Sequence, residues 1–570
     1  MARSLLQSRW KWLCLLTVVV AQGCATYGAD VQNVLSDVRR GDWKASEASL
    51  KQTLSDSGGD RLLYFLELGV IRHLSGDYKG SNQLLEKAER ISESLETSSV
   101  TGAFFELLSN PRQGSYAGTT HEKLYLNYFK ALNYIAIAEK ETTRNARLDA
   151  LEGARVEIRR MNIRLNSLND EEGDYEQRRE DKQETSYKVF NIFNKLSGNI
   201  DVDDFRFRDD ALSHYLAGVT YEMNGELDNA RISYRKSAEA YEGGYAEQFR
   251  LDPTMTEQAW FDTVRIMRRA GGYESEWPRL AKKKLSADKR KELANWDNKA
   301  QLLVIEHKGL APELKEMSLE LWANPTLKSF EMQPYVGFEN RDALAWFYLL
   351  YSDKGIYKAL TAYLDGQRLD RFFDPFTKTI LLGPAWDVAQ ELGLDQAIGS
   401  SLRITVPYYP IPKVLGDSQL TVATATGSVV DQPIGLYKAA SPAQLGIQER
   451  MVNADNDLHQ ALTRSATKLL TAQAFGLTDN KKEGSSLLAL AGKLATQLTE
   501  ASETRSWLLL PNDIRIRRVP LEPGDYQLTL DSRLEAGQQV QETTRKTLTA
   551  NDIAIWQVRS LPQQASKKKR

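Results

Sequence analysis

The chain has 570 residues, 42% of them hydrophobic and 26% charged, with a formal net charge of −2. That balance is ordinary for a folded body and gives no strong field suited to nucleic acid. The length is enough for two to four domains.

The first element in chain order is an export signal. Arg3, Arg9 and Lys11 give a positive start, an apolar core runs from Trp12 to Ala21, and Ala21-Gln22-Gly23-Cys24 follows. The apolar run is about ten residues and a spanning helix needs about 20, so processing is expected rather than a transmembrane helix. Residues 1–23 are read as a signal peptide. The small residues before Cys24 resemble a bacterial lipobox, although Ala21 stands where Leu is usual and Gln22 is less typical. The resemblance implies acylation of Cys24, with residues 24–29 as lipidated terminus and tether; a plain cleaved signal is the alternative. By resemblance to lipoproteins of Gram-negative bacteria, Ala25 in place of Asp favours the outer membrane, with the body in the periplasm. Cys14 lies inside the signal, so the mature chain keeps only Cys24, and no disulfide framework is possible.

Residues 30–285 are rich in Ala, Leu, Glu, Lys and Arg at helical spacing and predict a helical domain. Two stretches resemble tetratricopeptide repeats, whose unit is a helix pair of about 34 residues. The first carries Leu68-Gly69, Gly76-Asp77-Tyr78 and Lys87-Ala88; the second carries Gly218, Tyr221, Gly225, Ala230, Tyr234 and Lys236. In each, a small residue lets the second helix approach, and a Gly before an acidic residue ends the first. Ser81 and Arg72 depart from the pattern, where Ala and Tyr are usual. A third helix pair is predicted from the stripes Leu124, Tyr128, Ala131, Leu132, Ile135 and Ala146, Ala150, Ala154, Ile158. Stacked pairs make concave surfaces that hold peptides or partner proteins. Leu68, Gly69, Tyr78, Ala88, Tyr221, Ala230 and Tyr234 are the candidate partner-binding residues; a helical spacer without a ligand is the alternative. Asp201, Asp203 and Asp204 invite a calcium reading, but the sixth position is Arg206 where the loop needs Gly, and Asp209 and Asp210 suit helix caps.

The basic run from Lys282 to Lys291 reads as a solvated helix or linker, and 286–299 is assigned as the linker. A mixed β/α domain is expected over 300–560. Gln301–Glu306 is a branched apolar run, and period-two alternation marks Met317/Leu319/Leu321, Leu402/Ile404/Val406, Ile514/Ile516, Tyr526/Leu528/Leu530 and Ile553/Ile555. A small antiparallel sandwich is the natural home for such strands. Helical insertions are expected at about 341–393 and 441–500, the second opened by Ser441 as cap and Pro442 as first helical residue. The first is unusually aromatic: Trp346, Phe347, Tyr348, Tyr351, Tyr357, Tyr363, Phe372, Phe373 and Phe376. Residues 561–570 form a basic tail. The fold class is therefore α+β, an N-terminal helical stack followed by a smaller antiparallel β region with helical insertions.

Ala131-Leu132-Asn133-Tyr134, Ala154-Arg155-Val156-Glu157, Tyr234-Arg235-Lys236, Leu302-Leu303-Val304 with Gly309-Leu310-Ala311-Pro312, Thr504-Arg505-Ser506-Trp507, Leu510-Pro511 and Pro523-Gly524-Asp525-Tyr526 occur in that order. On these pieces the chain resembles an uncharacterised family of bacterial tetratricopeptide-bearing outer-membrane lipoproteins, with the aromatic stretch around Trp346 as an insertion. The family has no established reaction, so the resemblance implies architecture and location only.

Chemistry-bearing motifs are few. His73, His121, His214, His307 and His459 show no zinc spacing, and neither a phosphate-cradling loop nor a Gly-x-Ser-x-Gly elbow appears. Ser465-Ala466-Thr467-Lys468 and Ser233-Tyr234-Arg235-Lys236 match Ser-x-x-Lys without the companion elements of a penicillin-binding enzyme. The expectation is a non-enzymatic scaffold or adaptor, without cofactor or metal. It would be anchored to the membrane by lipid and bind another envelope protein through its helix pairs. A glycan-binding module using the aromatic insertion is the alternative, and a cryptic hydrolase the second.

Overall fold

A computed structural model describes residues 26–108, 111–170, 210–335, 340–351, 377–398, 402–430, 432–474 and 501–562. The N-terminal half is a run of helix pairs: α1 (Gln32–Arg39) with α2 (Trp43–Thr53), α3 (Arg61–Leu74) with α4 (Tyr78–Leu108), α5 (Thr120–Lys140) with α6 (Arg144–Asp170), and α7 (Ala211–Met223) with α8 (Leu227–Ala240). Helix α9 (Thr254–Ala270) then packs on α8.

The predicted glycines do two different jobs. Gly76 and Gly225 follow α3 and α7 with φ near +80° and +77°, the left-handed conformation that ends a helix. Gly69 and Gly218 instead allow close approach: a Cβ on Gly69 would lie 2.6 Å from Leu85, and one on Gly218 2.6 Å from the Tyr234 ring. The Tyr234 ring cannot swing aside, because its hydroxyl is tied to Glu222 and Arg518. Gly218→Ala should therefore cost about 1–3 kcal/mol in a urea unfolding titration. An unchanged midpoint would show that the two helices can separate freely. The departures from the repeat pattern are also explained. Ser81 Oγ donates to the Gly69 carbonyl at 2.7 Å, and Arg72 ties α3 to Glu47 of the preceding pair at 2.7 Å. As expected, Asp210 caps α7, accepting from Ser213 N at 2.6 Å.

The assigned linker is part of the body. Residues 286–299 hold α11 (Ala287–Ala294), after α10 (Trp277–Lys284), and Leu293 and Trp296 enter the helical core. The basic run packs through its stems and charges: Lys284 Nζ sits 4.5 Å from the Trp260 ring, and Lys289 Nζ donates to Gln258 at 3.0 Å.

Among the described residues twelve strands follow: β1 (Ala300–Lys308), β2 (Lys315–Asn324), β3 (Ser329–Pro334), β4 (Lys378–Leu381), β5 (Leu402–Tyr408), β6 (Ser418–Thr424), β7 (Ile434–Gly435), β8 (Tyr437–Ala440), β9 (Asp513–Leu521), β10 (Gly524–Arg533), β11 (Gln539–Leu548) and β12 (Ile553–Ser560). They form three sheets, ordered β12-β1-β9-β8, β11-β10-β6-β7 and β4-β3-β2-β5. The expected strands β1, β2, β5, β9, β10 and β12 are all present. The expectation of an antiparallel region needs one correction, because β1 and β12 run parallel. Strand β4 also falls inside the 341–393 stretch assigned to helices, between α12 (Arg341–Leu350) and α13 (Ala385–Glu391).

The first two sheets make the sandwich, with Leu302, Val304 and Val558 facing Leu420, Leu528 and Leu530. The other face of the first sheet, carrying Leu303, Ile305, Ile514, Ile516, Ile553 and Ile555, belongs to the core of the helix stack. Strand β1 is buried at every position for this reason, and reads as a continuous apolar run rather than an alternating one. The third sheet has a separate core with α12, α13, α14 (Leu394–Ile398), α15 (Pro442–Val452) and α16 (Ala454–Ala474). Ser441 caps α15 as expected. The helix expected near 485–499 lies outside the described residues, as do Cys24 and residues 171–209.

Candidate functional site

The seven candidate partner-binding residues form the packing of the stack rather than an open surface. Leu68, Gly69, Ala88, Tyr221, Ala230 and Tyr234 are buried, and Tyr78 is half-buried with Lys140 Nζ 4.6 Å from its ring. The physical reason is that the inner face of the stack is already filled by the first sheet and by residues 501–512 of the same chain.

This segment is a strap held by its main chain. Glu67 of α3 accepts the amides of Leu508 and Leu509 at 2.9 and 3.1 Å, and Glu122 of α5 accepts that of Trp507 at 2.6 Å. Arg505 donates to the carbonyls of Pro111 and Gly114 at 2.8 and 3.1 Å and to Asp60 at 2.9 Å. Arg559 of β12 donates to the carbonyls of Gly309 and Leu509 at 2.8 and 3.0 Å. The start of the described chain joins the same lock. Tyr27, assigned to the tether, is buried, with its hydroxyl on Glu67 and its amide on Thr504 Oγ1.

Burial pushes the Glu67 carboxyl up to about 8, against the lowering effect of the two amides. The folded state then holds the Glu67 proton more tightly than the unfolded chain, where the value is near 4.5. Its contribution to stability is full below pH 4.5 and lost as the pH rises to about 8. Glu67→Gln should flatten this part of the pH–stability curve in a series of melting curves; an unchanged slope over that window would count against the assignment.

Two further polar clusters are enclosed. Glu222, Asp262, Arg265 and Arg518 form a buried charge network between α7, α9 and β9, with Arg518 Nη2 2.6 Å from Glu222 and Nη1 3.1 Å from Asp262. Lys308 Nζ lies 2.6 Å from Ser418 Oγ, and Ser532 is 3.1 Å from Ser418. Burial lowers Lys308 to about 8, which is the chemistry of a serine–lysine dyad. Both side chains are enclosed between the sheets, at 0% and 1% exposure, and they pin the ends of β1 and β6. Ser465, the candidate from the sequence motif, is buried in α16, and Ser233 is buried in α8.

The aromatic insertion is core where it is described: Trp346, Phe347, Tyr348 and Tyr351 are buried beneath the third sheet. Tyr357, Tyr363, Phe372, Phe373 and Phe376 lie outside the described residues. The described aromatics thus offer no stacking face for a sugar.

A cavity of about 410 Å³ remains between α1, α3, the start of α4, and strands β11 and β12. Its lining includes His73, His307, Arg559 and Gln557, with Trp43 and Tyr78 among its aromatic walls. His307 and Arg559 are register partners on parallel strands. His73 and His307 stack edge to face at 6.2 Å, and Asn133 and Tyr128 hold them at 2.6 and 3.0 Å. Burial, with Arg559 beside them, takes His73 down to about 4 and His307 well below the usual range, so both are neutral at pH 7. None of this was visible in the sequence, where the two histidines stand far apart. The one local signal was Glu67, a lone carboxylate in the apolar run of α3.

Comparison with family models, with curated proteins and with solved structures finds no match to this chain. Among the described residues, no helix is long and apolar enough to cross a membrane, and no group of His, Cys, Asp or Glu is placed to hold a metal ion.

Proposed function

We propose that this protein is a lipid-anchored scaffold of the bacterial envelope, of the tetratricopeptide-bearing lipoprotein type, which binds another envelope protein without catalysing a reaction. The observation that carries this reading is the strap: carboxylates on two helix pairs hold a non-helical segment, which turns at Leu508 and Leu509, through its main-chain amides, on the inner face where a repeat stack presents its binding surface. Because the inner groove is filled in cis, the partner meets the outer faces. There Leu148, Val156 and Ile163 stand exposed on one side of α6, and Ile232 on α8.

The test is cross-linking in intact cells carrying a C-terminally tagged full chain, followed by identification of what co-purifies from the membrane fraction. Changing Leu148, Val156 and Ile163 together to Glu should remove the captured envelope protein while the chain stays in the membrane fraction. Recovery equal to wild type would overturn the scaffold surface. Cys24→Ala should separately release the chain from the membrane; retention there would overturn the anchor and leave the scaffold reading standing.

A further inference from the structure

The cavity beside β12 is lined by Arg39, Arg40 and Arg559 and by one carboxylate, Glu542, which makes no ion pair with Arg559. Arg559 uses Nη2 to hold the carbonyls of Gly309 and of Leu509 and Leu510 in the strap, but its Nε and Nη1 are buried and make no hydrogen bond. No carboxylate lies within ion-pair distance of it among the described residues. Glu67 is the acid that acts on it, and burial keeps Glu67 largely protonated at neutral pH. The neighbouring imidazoles are neutral and supply no counter-charge. Gln557 Oε1 and Arg39 Nε, on residues lining the same cavity, are also buried without a partner. Arg559 is half-buried, and a cation with enclosed N–H groups beside other unused polar atoms is costly unless something completes them. The opposite requirement, an apolar body, is met by Trp43, Tyr78, Trp556, Leu74 and Val558.

We propose that this cavity is a binding site for a small organic carboxylate with an aromatic or apolar body, and that Arg559 is its counter-ion. The planar guanidinium suits a carboxylate, which can take two parallel N–H bonds. The volume, about 410 Å³, falls within the range of small-molecule sites. The site is independent of the proposed partner surface, which lies on α6 and α8.

The test is calorimetric titration of the full chain at neutral pH with phenylacetate, phenylacetamide, acetate and inorganic phosphate, with tryptophan fluorescence as a second readout. Phenylacetate is expected to bind and to change the emission through Trp43 and Trp556. Phenylacetamide, the same body without the charge, should bind at least about tenfold more weakly. Trp43→Leu, at the half-buried wall, should weaken phenylacetate and leave the melting temperature close to wild type. Arg559→Lys keeps the charge but loses the fork, and should also weaken binding about tenfold. Equal binding of the amide, equal binding of inorganic phosphate, or no binding of phenylacetate up to about 10 mM would each overturn the assignment. The first and third need only the wild-type chain, so a misfolded Arg559 variant leaves the proposal testable.

Discussion

Arg518→Met should lower the unfolding free energy by about 3–5 kcal/mol, because it leaves buried carboxylates without their cation. Arg518 is fully buried in β9, and each of its guanidinium nitrogens is used. Nη2 is on Glu222 at 2.6 Å, Nη1 on Asp262 and Tyr234 at 3.1 and 2.8 Å, and Nε on Gln301 at 2.8 Å. Arg265 also holds Glu222, at 2.7 Å through two nitrogens, and Arg269 approaches it at 3.2 Å. With Arg518 gone, Arg265 is the one fully buried cation left for two carboxylates. The paired arginines hold Glu222 well below the usual carboxylate range. Its contribution is therefore present above the unfolded value of 4.5 and lost as the pH falls below it. Guanidinium titrations at neutral pH measure the loss directly. A change under about 1 kcal/mol, the size expected of an exposed pair, would mean that the network is not enclosed as described. The network joins the last helix pair to the first sheet, so the helical and sandwich parts should fail together in one transition.

Trp507→Ala should cost about 3–5 kcal/mol and should also free the strap. Trp507 is 1% exposed, packs 5.8 Å from the Phe129 ring, and is followed by three buried leucines. Removing the indole leaves a cavity where α5 meets the strap, while the Glu67 and Glu122 acceptors remain. The strap is held by both side chain and main chain, so proteolysis is expected to move to residues 501–512 before the rest of the body opens. A variant that loses stability with no new cleavage there would show that the strap is not a separate locking element. If the strap does release, Glu67 and Glu122 become free to hold an added peptide.

Local pattern made the helix pairs legible. Leu124 to Ile135 and Ala146 to Ile158 repeat at the helical period, and Gly76 and Gly225 punctuate the pairs where the chain needs a left-handed residue. The alternating runs at 317–321, 402–406, 514–516 and 526–530 were legible as strands for the same reason. Strand β11 was missed because its Gln-Glu-Thr-Thr-Arg-Lys stretch is exposed on an outer strand of its sheet and carries no apolar face. Strand β4 was missed because it is four residues long inside an aromatic region. Residues 286–299 belong to the body rather than to a linker because Leu293 and Trp296 enter the helical core and Lys289 packs its ammonium group on Phe261, while Lys291 stays exposed.

The sequence by itself determined the helix pairs, the strands β1, β2, β5, β9, β10 and β12, where the repeat-like pairs close, and that the fold is mixed α+β, because these follow from side-chain period and turn chemistry within a few residues. The tertiary structure alone decided what fills the stack. Trp507 meets Glu122 across 385 positions, Arg518 meets Glu222 across 296, and His73 meets His307 across the same groove. Such contacts depend on how whole elements stack, and no local pattern encodes that. The residues expected to receive a partner, Leu68, Gly69, Ala88, Tyr221, Ala230 and Tyr234, are instead packed inside the stack. Arg559 was set beside His307 only when β12 was laid parallel beside β1.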